Sequence, residues 1–152
     1  MPDLLAGTTV YAADTPPALN STVDPTFSLT NTSYATTSTG GSYSDCAAVF
    51  IAPTTGRVLV HMAARMNNTT ATSGTMVCTE TREGSVVGSG NIVDAVGDRG
   101  PSNYGTEFAR VGAAHFISGL NAGQTYNIRM LHKVTANGGN VALRELTVVP
   151  LS

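Results

Sequence analysis

The chain has 152 residues, a formal net charge of −2, 41% hydrophobic residues and only 12% charged ones. That is long enough for one domain with a core, too apolar for a disordered chain, and about half the usual share of charge. No basic run offers a phosphate-binding stripe, and no apolar run approaches the roughly 20 residues of a membrane span, so neither nucleic acid nor a membrane is an expected partner.

Sixteen glycines and a single lysine, Lys133, suit β-strands joined by turns better than helices with charged outer faces. Strand signals run in chain order, separated by Gly, Pro, Asn and Ser. Gly7–Ala13 reads as a first strand. Residues 14–25, with Pro16 and Pro17, read as an extended arm crossing a surface, because proline cannot donate to a ladder. Short strands are expected within 26–30 and 32–37, and a longer one over 45–52, stopped by Pro53. Over 57–66 the alternation puts Val58, Val60, Met62, Ala64 and Met66 on a core face, with Arg57, Leu59, His61, Ala63 and Arg65 outward. Residues 75–82 and a glycine-broken stretch over 83–93 follow, then a long loop over 94–105. Residues 106–117 read as a strand, since two interior glycines weigh against a helix.

The stretch 116–134 is the clearest pattern. Gly119 and Gly123 can take positive φ, and Leu120 can tuck under the turn. Tyr126, Ile128, Met130, His132 and Val134 then share a core face, which makes His132 a core histidine. Leu131 and Leu59 fall outward and are candidate interface residues. A final strand over 140–149 ends at Pro150. Eight to ten strands predict an all-β, single-domain β-sandwich, an eight-stranded jelly roll first and an immunoglobulin-like sandwich second. The division expected is an N-terminal strand and arm over 1–25, docking on a neighbour, and the sandwich over 26–152.

Catalytic motifs are not met. There is no Gly-x-Ser-x-Gly elbow, and Glu80, Glu83, Glu107 and Glu145 are dispersed. Glu80 and Arg82 share a strand face and read as a surface ion pair. Gly88-x-Gly90 has no helix after it, so the dinucleotide reading fails. A loop calcium at Asp94 and Asp98 lacks ligand density, the three histidines show no ligand spacing, and no enzyme activity, metal or cofactor is expected. Cys46 and Cys78 read as buried thiols. Asn-x-Ser/Thr at Asn20, Asn31, Asn67 and Asn68 is ordinary in so Thr-rich a chain. The N-terminus lacks a basic region before its apolar residues, which predicts a protein that is not exported.

Three motifs carry a resemblance. "TGRVLVHMAARM", "FISGLNAGQTYNIRMLHKV" and "NVALRELTVVPL", with the opening "LLAGTTVYAADTPPA", resemble small virion proteins of tailed phages that infect actinobacteria. The resemblance implies a structural component of the virion, a capsid decoration protein or a minor tail protein, assembled in the host cytoplasm. Similar turn-and-strand patterns occur in tumour-necrosis-factor and C1q-like jelly rolls, which implies a homotrimer, and the phage resemblance implies contact with the major capsid protein or other virion proteins. Interface candidates on this reading are Leu4, Leu5, Val10, Tyr11, Pro16, Pro17, Leu59 and Leu131. The alternative is a receptor- or carbohydrate-binding module using loop residues Asn67, Asn68, Asp94, Asp98 and Tyr104.

Overall fold

The computed structural model describes residues 16–36 and 45–151. Ten strands are found there: β1 (Leu19–Val23), β2 (Phe27–Leu29), β3 (Ala47–Ile51), β4 (Val58–Asn68), β5 (Thr75–Glu83), β6 (Ile92–Asp94), β7 (Ser102–Asn103), β8 (Ala109–Ile117), β9 (Thr125–Val134) and β10 (Gly139–Pro150). They form two antiparallel sheets, and the chain is an all-β sandwich. One sheet runs β1-β10-β4-β8 with β2 also on β10; the other runs β3-β9-β5-β6 with β7 also on β5.

The core follows the alternation read from sequence. Val58, Val60, Met62, Ala64 and Met66 of β4 meet Tyr126, Ile128, Met130 and Val134 of β9 between the sheets, all buried. Apolar burial of this kind stabilises by about 25 cal/mol per Å². Both cysteines are free and buried.

Some boundaries differ from the sequence reading. The expected first strand, Gly7–Ala13, with Leu4, Leu5, Val10 and Tyr11, lies outside the described residues. The stretch read as an arm through residue 25 instead contributes β1, paired residue for residue with Val148 to Arg144 of β10. Its prolines stop short of the strand, so nothing prevents the ladder. Of residues 32–36, only Ala35 makes a bridge, to His132. The stretch 83–93 is mostly turn, because Gly84, Gly88 and Gly90 all adopt positive φ.

The strand β10 carries a bulge that the sequence does not announce. Its register shifts between Ala142 and Glu145, and Leu143 sits at φ 45°. One extra residue reverses the parity of the strand. Val141 faces inward before the bulge; Arg144, Leu146 and Val148 are buried after it. Arg144 is thereby turned into the core, its guanidinium 4.7 Å from the centre of the Phe27 ring. Phe27 meets the His132 ring edge-on, with centroids 4.9 Å apart. Arg144, Phe27 and His132 form one buried stack.

His132 is fully buried, with Nδ1 3.4 Å from the Ala35 carbonyl oxygen. Burial, and then the Arg144 charge, lower its pKa from 6.5 to about 3. The folded state therefore holds a neutral imidazole where the unfolded chain takes up a proton. Stability is fully present above pH 6.5 and is lost as pH falls from there towards 3. Chemical denaturation is expected to show a loss of about 2 kcal/mol between pH 7 and pH 5. A His132→Leu chain has a flatter profile over that window.

At one end of the sandwich, two turns interlock. Gly56 takes φ +63°, and a Cβ there would stand 2.3 Å from the Leu120 carbonyl oxygen. The Leu120 amide donates to the Gly56 carbonyl at 3.1 Å, and Ala52 and Gly123 tie the turns together again. Leu120 is buried as expected, and the Tyr126 hydroxyl accepts from the Asn121 amide at 2.9 Å. Gly119 shares the positive φ, at 79°, but faces open space. Gly119→Ala is expected to cost about 1 kcal/mol, the left-handed strain alone. Gly56→Ala adds a steric clash and costs at least twice as much. Urea midpoints of the two variants check the difference.

Candidate functional site

The outer face of the β3-β9-β5-β6 sheet is partly roofed. The loop after β6 runs along the edge of β5 opposite β9 so closely that a Cβ on Gly100 would lie 1.8 Å from the Val77 carbonyl oxygen and 3.0 Å from Cys78 Cα. Asp98 on this loop accepts from Lys133 at 2.7 Å and from the Tyr34 hydroxyl at 3.0 Å. The Lys133 ammonium lies 4.5 Å from the centre of the Tyr34 ring. Burial, and then the bond to Asp98, push the Tyr34 phenol well up; Lys133 first and Tyr34 second hold the Asp98 carboxyl below its ordinary value.

This roof corrects one interface candidate. Leu131 points to the outer face, as its parity requires, yet it is only 5% exposed and pairs across the ladder with the buried Cys78. It is covered by its own chain, and a partner cannot reach it there. Leu59 does lie on an outer face, half-buried, between Phe116 of β8 and Val149 of β10.

The sequence places Glu80 in a surface pair with Arg82. It is 6% exposed and holds two arginines. Arg82 donates to both its oxygens, at 2.7 and 3.1 Å, and Arg129 donates twice to Oε1, at 3.2 and 3.0 Å. The sequence reading missed Arg129, which is far along the chain but directly opposite in the ladder.

At the open side of the sandwich, β6 and β8 face one another through a polar seam. His115 Nε2 lies 3.4 Å from Thr79 Oγ1 and 3.4 Å from Asp94 Oδ2. Arg99 Nη2 donates to both oxygens of Asp94, at 2.8 and 2.9 Å. Burial opposes the Asp94 charge, but the bonds from His115 and Arg99 outweigh it and hold the carboxyl below its usual range. A hydroxyl–imidazole–carboxylate relay needs the acid on one ring nitrogen and the hydroxyl on the other. Here both reach the same nitrogen, so the cluster joins β5, β6 and β8 and lacks the relay arrangement.

The loop residues of the carbohydrate alternative are engaged within the chain. Asn68 is 2% exposed; its amide donates to the Asn103 and Gly105 carbonyls at 2.6 and 3.0 Å, and its oxygen accepts from Thr75 at 2.7 Å. Asn67 donates to the Thr106 carbonyl at 3.0 Å and accepts from Asn140 at 2.8 Å. Tyr104 is half exposed, and its ring packs against Gly74. Asp94 and Asp98 face Arg99 and Lys133, cations that oppose a third.

The recesses left open differ in character, and the one at the β3 edge is the most apolar. A groove of about 550 Å³ at the β3 edge is lined by Pro16, Pro17, Leu19, Val49, Phe50 and Ile51, with Ile51 49% exposed. On the outer face of the β1-β10-β4-β8 sheet, a trough of about 440 Å³ runs over Ala63, Gly112 and Ala114, beside His61 and Thr147. Leu59 and the 48%-exposed Phe116 stand at one end of that face, and the Arg110–Glu145 ion pair stands further along it. Comparison with protein-family models finds no match, and comparison with curated proteins finds none.

Glu80 sets a second pH window. Hydrogen bonds from Arg82, partly offset by burial and reinforced by Arg129, hold its pKa below 4.5. A depressed carboxylate stabilises above its ordinary pKa and loses that stability as pH falls through the folded value. Glu80→Gln is expected to be about 2 kcal/mol less stable than wild type at pH 7. The gap narrows in denaturation curves taken below about pH 4.

Proposed function

We propose that this chain is a structural protein of a tailed-phage virion, an oligomeric decoration protein that binds and stabilises the assembled head. The observation that carries the reading is the placing of its large apolar side chains. Val49 and Ile51 gather at an open sheet edge, and Phe116 stands beside half-buried Leu59 on one sheet face, with Val86, Ile92 and Val93 exposed elsewhere, while several loop polar groups bond within the chain. Contiguous exposed apolar patches suit protein contact more than solvent.

Two further observations support it. The three stretches that resemble phage virion proteins meet at one end of the sandwich. The Thr55–Arg57 turn holds the Leu120 turn, and the Leu151 amide donates to the Arg57 carbonyl at 3.0 Å while Thr55 binds the Leu151 carbonyl. They thus form one structural unit. Counting β1, β3, β4, β5, β6, β8, β9 and β10 as the eight principal strands, the sheets read first-eighth-third-sixth and second-seventh-fourth-fifth. That order supports the jelly-roll reading, an architecture found in capsid proteins. Trimers follow by analogy of fold.

Co-sedimentation with assembled heads tests the reading. The full chain is expected to pellet with heads. A chain lacking residues 1–15, cut short of β1 so that the sheet is left whole, is expected to remain in the supernatant with an unchanged far-UV circular dichroism spectrum. Absence of the full chain from head pellets overturns the proposal, and recovery with tails instead would make it a tail component.

A further inference from the structure

The groove at the β3 edge is half of an interface. One wall is Pro16, Pro17 and Leu19; the other is Val49, Phe50 and Ile51. The strand β3 is the last in its sheet and pairs with β9 alone among the described strands. An open edge with exposed Val and Ile is a template for an added strand.

The path of the chain says which strand. Ser21 of β1 lies against β3 at its start, its hydroxyl accepting from the Ala47 amide at 3.3 Å and its carbonyl meeting Cys46 Sγ at 3.5 Å. Pro16 and Pro17 lie at the other end, beside Ile51. So β1 runs antiparallel to β3, and the polypeptide comes in past the Ile51 end. To lie back along its own β3, a segment upstream of Pro16 would have to reverse direction there. Two successive prolines fix φ near −65° and keep the residue before each of them out of the helical region, which opposes a reversal at that point. The upstream sequence is apolar and β-prone, with Leu4, Leu5, Val10 and Tyr11 in "LLAGTTVY".

We propose that residues 4–11 of a second copy of this chain lie along β3 and fill the groove, so that copies are joined by exchange of their N-terminal segments. The five residues of β3 pair with about five of the incoming segment, over roughly 17 Å. Alternate apolar side chains cover Val49 and Ile51, and ladder bonds satisfy the edge. The inference rests on the reading above that the protein acts as an oligomer, and it names the contact that builds it.

The test uses two differently tagged full-length chains expressed together, one Leu5→Cys and the other Ile51→Cys. Native Cys46 and Cys78 are buried and do not compete for a short bis-maleimide. Cross-links between the two tags are expected. In light scattering, wild type is expected at a multiple of 15.6 kDa and Ile51→Asp at 15.6 kDa. Ile51 is exposed in the isolated chain, so the Asp variant keeps its fold, checked by an unchanged melting temperature after dissociation. A monomeric wild type overturns the proposal. So does an oligomer that survives Ile51→Asp, or a cross-link formed only when both cysteines are in one chain. Solution mass is measured without phage heads, so the two readings fail separately. An arm-exchanged oligomer that ignores heads defeats the virion reading, and a monomer that binds heads defeats this one.

Discussion

One extra residue in β10 governs the interior. The bulge at Leu143 reverses strand parity, and Arg144 enters the core where the alternation would have placed it outside. A buried guanidinium is costly unless its surroundings receive it. It lies over the Phe27 ring, and Phe27 in turn lies against His132. The same bulge divides the labour of β10, which pairs with β2 before it and with β1 after it. The lowered pKa of His132 follows from this arrangement, since burial and the nearby guanidinium both disfavour a second positive charge.

The outside of the molecule obeys a complementary rule. With 12% charged residues there are few ions to spend. Most of those on the β5-β9 face are committed to one another, Glu80 to Arg82 and Arg129, Asp94 to Arg99, Asp98 to Lys133. These groups fix loops and edges. Val49, Ile51 and Phe116 are among the large apolar side chains left exposed, with Leu59 half-buried beside Phe116.

Much of the sandwich is legible along the chain because a strand buried on one face writes its burial with period two. β4 and β9 were read correctly for that reason, and the Leu120 turn because glycines at 119 and 123 leave few other conformations. The short strands were harder. β7 is two residues long, and of the strand expected over 32–37 only the Ala35 bridge is found among the described residues, since such elements exist by virtue of a neighbour and not of a pattern.

Sequence alone determined the β class, the core faces of the long strands and the demotion of His132 to a core residue, because these depend on periodicity and turn chemistry within a dozen residues. The tertiary structure decided what touches what across the chain. It buried Leu131 on its outer face, opposite Cys78 of a strand some fifty residues earlier. It gave Glu80 a second arginine, joined Asp94, His115 and Thr79 into a seam, turned Arg144 inward and left the β3 edge open. Each depends on a ladder register, a bulge or a sheet-to-sheet contact between distant segments, and no local pattern encodes those.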